Sequence, residues 1–212
     1  MASRGPNWYE RHLLPYLIDL ACGVKPVRKQ RQKVVPLAQG RVLEIGIGTG
    51  LNLPHYDKAK ISRIVGLDPA LDMHTLARKR MREAGLEIEL VGLPAERIPF
   101  DDASFDCVLM TYTLCSIPDP VPALKEMARV LKPGAPLIFC EHGLAPDASV
   151  RRWQDRLTPL WSKIAGGCHL NRNVPALLEE AGLRSTDMQS RYIPGGPRPV
   201  MFNYWGTARR SA

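Results

Sequence analysis

Gly46, Gly48 and Gly50 stand at alternate positions directly after the run Arg41-Val-Leu-Glu-Ile45. A second apolar run, Ile64-Val-Gly-Leu67, ends on the acidic Asp68. Glycine strips side chains from a turn, so backbone can lie directly against a ligand. A helix opening at Asn52 and Leu53 adds unpaired N–H groups at that point. A carboxylate at the end of the second strand accepts hydrogen bonds from both hydroxyls of a ribose. Together these residues point to a nucleoside cofactor.

A dinucleotide turn needs G-x-G-x-x-G, with a pyrophosphate at the helix N-terminus. Here the third glycine position holds Leu51. Glu44 is a charge inside an otherwise apolar strand. Two readings stand for it: a structural carboxylate accepting an N–H, or a group shaping the loop around a cationic, phosphate-free cofactor.

Two histidines suit proton transfer near neutral pH. His142 follows the apolar run ending at Glu141, and His169 lies in the segment Gly166-Gly-Cys-His169. Each reads equally well as bonding a loop carbonyl. Cys115 and Cys168 read as pocket lining, because no covalent step is required. The sequence holds no H-x-H, C-x-x-C or D-x-D cluster, so no metal is expected.

Four segments extend the glycine pattern: Leu43-Glu-Ile-Gly-x-Gly-x-Gly50, Pro99-Phe-Asp-Asp-Ala-Ser-Phe-Asp106, Val108-Leu-Met-Thr111 and Ala123–Gly134. In this order they resemble the class I S-adenosylmethionine (SAM) methyltransferases, with Ala135 replacing the second glycine of a K-P-G-G ending. The resemblance implies an α/β, Rossmann-like domain: a seven-stranded, mostly parallel sheet with helices on both faces. It implies SAM as cofactor. Gly46, Gly48 and Gly50 then approach its methionine part and ribose, with Glu44, Asn52, Leu53 and Thr111 beside them. Asp68 binds the ribose, and Pro69 and Met73 flank the adenine; Met73 also reads as helix-core packing. Pro94 stands where the family often has an acidic residue, leaving the Ala95 N–H and Glu96 for the adenine edge, with Leu93 on the ring.

Thr113-Leu-Cys-Ser-Ile117, Glu141-His-Gly143, Trp153–Trp161 and Gly167-Cys-His-Leu-Asn-Arg172 resemble a narrower branch. It contains the alkyl-thiol methyltransferases (the methyltransferase-like 7 group) and soluble bacterial relatives. That implies methyl transfer to a small, apolar thiol, with His142 and His169 as candidate bases. Tyr9, Cys115, Glu141, Trp161 and Arg172 would line the acceptor pocket, Arg172 pairing with an anionic substrate group or with Glu141. Members of the animal branch carry a hydrophobic N-terminal anchor that this sequence is expected to lack. Two alternatives remain: N-methylation of a phospholipid or small amine at a membrane surface, and SAM binding without catalysis.

The elements that must position these residues follow from periodicity. A chain of 212 residues suits one domain. It divides into a helical cap (1–40), a cofactor-binding core (41–145) and an acceptor-side helix with a closing hairpin (146–212). Trp8, His12, Leu13, Tyr16, Leu17 and Leu20 recur at helical spacing, with Pro15 kinking or dividing the helix and Pro26 opening another. Trp8, Tyr9, Tyr16, Trp153 and Trp161 are expected to form an aromatic pocket. Strands are expected at 41–45, 63–68, 87–91, 105–111 and 137–141, and a final pair at 184–192 and 200–208. Helices are expected at 72–84, 151–164 and 174–181. Strands alternating with helices give a parallel sheet.

The net charge is +8, partly concentrated in Lys25-Pro-Val-Arg-Lys-Gln-Arg-Gln-Lys33. That run reads as a solvated helix face, as a peripheral contact with an anionic membrane, or, less readily, as a nucleic-acid site, for which no aromatic-interleaved groove is present. The expected partner is a small-molecule acceptor, not nucleic acid. Five cysteines without paired spacing argue against a disulfide framework and fit a reducing cytoplasm.

Overall fold

The computed structural model describes residues 8–70 and 73–211. Five strands form a parallel sheet in the order β3-β2-β1-β4-β5: β1 (Gly40–Ile45), β2 (Ile61–Leu67), β3 (Ile88–Val91), β4 (Cys107–Thr111) and β5 (Leu137–His142). The antiparallel β8 (Phe202–Arg210) closes the sheet against β5. Strand interiors here are almost continuously apolar because both faces are covered. Alternate residues serve opposite faces. Leu43, Ile45, Val108, Met110 and Phe139 pack toward Leu124 and Met127 of α5 (Pro120–Val130) and Leu178 of α7 (Val174–Glu180). Val42, Ile64, Leu109 and Ile138 pack the other way, against Val34, Leu53 and Tyr56.

The final hairpin differs from its expected form, and the sheet has eight strands. The segment read as one strand is divided into β6 (Leu183–Arg184) and β7 (Gln189–Tyr192), both paired with β8. Asp187 is the cause. Its carboxylate accepts the Thr207 N–H at 2.8 Å and the Thr207 hydroxyl at 2.9 Å, so a side chain replaces the ladder there.

The helix expected after the glycines does not form. Asn52 and Leu53 instead lead into a 3-10 turn, Leu53–His55, followed by another at Lys58–Lys60 before β2 begins. Only eight residues separate Asn52 from β2, which leaves no room for a longer helix and its return to the sheet. The Gly50 N–H is spent on the Ile47 carbonyl at 2.8 Å.

Three helices precede the sheet: α1 (Trp8–His12), α2 (Leu14–Gly23) and α3 (Lys25–Val34). Pro15 divides the first two and Pro26 lies in the first turn of the third. Helix α4 (His74–Ala84) joins β2 to β3 and stops at the left-handed Gly85. Helix α6 (Ala148–Ile164) starts three residues before the expected Arg151. Its fully buried Gln154 accepts the Ala145 N–H and lies within 3.0 Å of the carbonyls of Gly143, Leu170 and Pro199. That amide fixes the loop after α6 against the end of β5. No helix of the described residues is long and apolar enough to cross a membrane.

Candidate active site

The glycine loop and Asp68 meet at the C-terminal ends of β1 and β2. The Gly48 N–H donates to Asp68 Oδ2 at 2.9 Å, and the Ala70 N–H to Oδ1 at 2.8 Å. Burial raises the Asp68 pKa, and these two donors oppose that shift. A Cβ at Gly48 would meet nothing nearer than Met73 Sδ at 3.6 Å. Gly48, Asp68 and Met73 therefore lie together, with Met73 Sδ and Asp68 Oδ2 at ordinary contact distance from that Cβ position. A Cβ at Gly46, whose φ is +68°, would fall 2.2 Å from Thr113 Oγ1. Glycine there is required for close approach of the β1 and β4 loops.

Beneath the loop lies a buried polar network. Glu44 accepts the Asn52 amide at 2.9 Å and the Tyr56 hydroxyl at 2.7 Å. Arg31 donates to Asn52 Oδ1 at 2.8 Å and also to the Thr111 hydroxyl. Burial pushes Glu44 up to about 7 despite those bonds and the nearby Arg31. Both readings of Glu44 merge here: it is hydrogen-bonded structurally, and through Asn52 it shapes the loop.

The structure gives the other expected cofactor-side residues these surroundings. Asn52 and Thr111 spend polar atoms on Arg31, Glu44 and each other. Leu53 is packed in the core, and the Ala95 side chain lies in the apolar cluster beneath. Glu96 accepts the Asp119 N–H at 3.2 Å. Pro69 is exposed beside Asp68.

Arg31 was hidden within a run read as a solvated face. Lys25, Arg28, Lys29 and Lys33 are indeed exposed, but Val27, Gln30, Arg31 and Val34 are buried. Their i, i+3, i+4, i+7 spacing is the signal that distinguishes the inner face. Helix α2 is fastened to the same loop. Asp19 accepts from Thr49 Oγ1 at 2.6 Å and from Arg80 at 2.6 and 3.0 Å, while Arg80 also reaches the Thr49 carbonyl at 2.8 Å.

The acceptor side is built on Glu141. Fully buried, it accepts the N–H groups of Thr113 (2.9 and 3.0 Å) and Leu114 (3.1 Å). Burial raises it to about 7. It anchors a turn instead of lining a pocket, and it has no ion pair with Arg172, which donates to the Ile117 carbonyl at 2.8 Å. The turn delivers Cys115, whose carbonyl accepts the His169 N–H at 2.9 Å. The loop after α6 thereby docks on the loop after β4.

Within that junction, Cys168 Sγ lies 3.2 Å from His142 Nε2. One ligand atom each of Cys115, His142 and Cys168 lie within 4.8 Å of one another. The sequence spacing gave no sign of this cluster, because its members come from three separate segments. The neighbouring Cys115 thiol, followed by His142, holds Cys168 well below an ordinary thiol, against the effect of burial; Cys115 is raised. Burial opposes charge on His142, yet Cys168 and Glu141 leave it above the usual imidazole value. His169 takes the other role foreseen for it: its Nδ1 faces the Gly167 carbonyl at 2.7 Å.

The aromatic pocket does not form as expected. Trp8, Tyr16 and Trp153 are exposed, at 72%, 60% and 55%, and Trp161 is partly exposed. The Tyr9 hydroxyl donates to the Ile164 carbonyl at 2.8 Å, tying α1 to the end of α6.

The glycine loop, the buried acid at the end of β2 and Leu51 in place of a third dinucleotide-type glycine fit a nucleoside with a cationic group. Residues 43–139 match the family model described as "Methyltransferase domain". Thiol S-methyltransferase TMT1B of Homo sapiens is 36% identical over 171 residues, spanning 76% of this chain and 69% of that protein. Phosphatidylethanolamine N-methyltransferase of Cereibacter sphaeroides is 37% identical over 105 residues, 49% of this chain and 51% of that protein. A solved SAM-dependent methyltransferase of Thermotoga maritima, titled a possible histamine N-methyltransferase, superposes with a TM-score of 0.65 at 26% identity, covering 94% of this chain and 97% of that one. With its sheet order, its glycine loop and these relatives, the chain belongs to the class I methyltransferases and takes SAM as its cofactor.

Proposed function

We propose that this enzyme methylates the sulfur of a small thiol. The observation that carries the reading is the meeting of Cys115, His142 and Cys168 beside the glycine-loop contact Gly46–Thr113. Bound SAM supplies an activated methyl on a sulfonium. The protein then has to align an acceptor and accommodate its lost proton, and alignment alone is worth several kcal/mol, on the order of 7 or more in favourable cases. A thiol with a pKa of about 8.5 ionises with modest help. An alcohol needs a free strong base, and the nearby carboxylates Glu44 and Glu141 are both committed to buried hydrogen bonds. The human thiol S-methyltransferase relative supports the same acceptor class.

The test is turnover of alkyl and aryl thiols spanning a range of acidity, with SAM affinity measured alongside. His142→Ala is expected to lower turnover by about 100-fold, the scale of losing one group that favours the ionised thiol, with SAM affinity retained. His169→Ala is expected to cost far less. Turnover of amines with no turnover of any thiol overturns the reading.

A second reading is favoured by one observation. Trp8, Tyr16, Leu20, Trp153 and Leu160 are exposed on α1, α2 and α6, and the Tyr9–Ile164 bond joins α1 to α6. Exposed aromatics, with exposed Arg28 and Lys29 on α3 and Arg151 and Arg152 on α6, suit a peripheral contact with an anionic bilayer, from which an apolar acceptor, thiol or lipid amine, would enter. Co-sedimentation with phosphatidylglycerol vesicles tests it, and equal partition to phosphatidylcholine vesicles removes the electrostatic part.

A further inference from the structure

We propose that Cys115, His142 and Cys168 form a three-ligand Zn2+ site whose fourth position is open to the acceptor. The ligand atoms already lie within 4.8 Å of one another, the imidazole nitrogen and one sulfur at 3.2 Å. A tetrahedral zinc with bonds of about 2.3 Å to sulfur and about 2.0 Å to nitrogen holds its ligands about 3.5–3.8 Å apart. Small side-chain rotations reach that arrangement.

Each ligand is held by a separate element. Glu141 fixes the turn ahead of Cys115 through the Thr113 and Leu114 N–H groups. His142 is pinned by the pairing of β5 with β8 opposite Asn203. Gly166 and Gly167, at φ of +60° and +82°, turn the loop that carries Cys168 back over β5. The His169 N–H locks that loop to the Cys115 carbonyl at 2.9 Å. The remaining strand cysteines, Cys107 and Cys140, sit inside the apolar cluster instead. Two thiolates balance the charge of one Zn2+, so a buried site closes electrically neutral. Two sulfurs and one imidazole select a soft or borderline cation. Three protein ligands with one position open is the arrangement of a zinc that acts on a substrate, where four protein ligands mark a structural one. His142 Nδ1 is buried with no hydrogen-bond partner among the described residues.

Binding of the ion stands independently; its role rests on the thiol reading. The acceptor R–SH takes the fourth position and releases its proton to solvent. The thiolate sulfur forms the S–CH3 bond as the sulfonium C–S bond breaks, its electron pair returning to the cofactor's sulfur. The balance is R–SH plus SAM giving R–S–CH3, S-adenosylhomocysteine and H+. The thioether, a far weaker ligand than the thiolate, then leaves.

The experiment uses the full chain, reduced with a phosphine, stripped of metal and titrated with Zn2+ against a chromophoric chelator, then with Co2+. One ion per chain is expected, with sulfur-to-cobalt charge-transfer absorption. Cys115→Ser and Cys168→Ser should each weaken Zn2+ binding by more than about 100-fold, beyond the loss from an outer-shell partner. The double variant should lose the charge-transfer band, and Cys107→Ala should behave as the parent. Circular dichroism of each variant separates ligand loss from unfolding. Failure of the folded, reduced parent to bind Zn2+, or binding indifferent to both cysteines, overturns the site. A change in the Co2+ spectrum on adding a thiol supports the open position; an unchanged spectrum during thiol turnover makes the ion structural and overturns that part. A loaded ion with no thiol turned over removes the thiol reading and leaves the site standing.

Discussion

At the scale of single residues, Asp68 does two jobs. It accepts the Gly48 and Ala70 N–H groups, and each carboxylate oxygen keeps a further lone pair with which a ribose hydroxyl could bond. Asp68→Ala is expected to cost about 1.5–3 kcal/mol of SAM binding by calorimetry, the range for a hydrogen bond to a charged group. Asp68→Asn keeps an acceptor for one of the two backbone donors and should lose less. Unchanged affinity in a folded Asp68→Ala variant would move the ribose elsewhere. Arg31 is the residue that motif reading could not supply, because its partners Asn52 and Thr111 lie 21 and 80 residues away. Replacing it with Met is expected to destabilise the fold by about 1–3 kcal/mol in urea unfolding, because the buried Asn52 Oδ1 and Thr111 Oγ1 each lose a charged donor and keep only the bonds between those two residues. The glycines and Asp68 were legible because a close backbone approach and a strand-end carboxylate are local demands. The convergence of Cys115, His142 and Cys168 was not, because it depends on how three loops close.

Helices and strands tell the same story at longer range. The parallel core from β1 to β5 was readable from apolar runs punctuated by glycine, since strands covered on both faces leave that imprint. The helix expected after Gly50 does not form because only eight residues lie between Asn52 and β2, a constraint the glycine pattern does not record. The division of β6 from β7 depends on one carboxylate, Asp187, capturing Thr207, which no periodicity records. Helix α2 is attached to the glycine loop chiefly through Asp19. Asp19→Ala is therefore expected to loosen α1 and α2, seen as faster cleavage at their junctions in limited proteolysis. The global cost should be only about 1 kcal/mol, because the pair is partly exposed. Proteolysis at the parent rate would show that packing, not the ion pair, holds the helix.

For the molecule as a whole, stability should depend on pH through Glu44. Its folded pKa of about 7 lies above the ordinary 4.5, so the folded state holds that proton more tightly. The stabilisation is complete below about pH 4.5 and is lost as pH rises toward 7, by up to about 3 kcal/mol. Tyr56, Asn52, Arg31 and Asp68 are the groups facing it, and Tyr56 stays neutral across that range because burial raises its pKa further. Urea midpoints of Glu44→Gln measured from pH 5 to 8 should fall less steeply than those of the parent; parallel slopes would assign the dependence to other groups. The fastening of Asp19 to Thr49 and Arg80 has a kinetic consequence. With α2 tied to the loop that receives SAM, release of the spent cofactor is expected to slow while that tie holds. Salt weakens a partly exposed ion pair, so the residence time of S-adenosylhomocysteine should shorten as ionic strength rises, and product inhibition should ease with it.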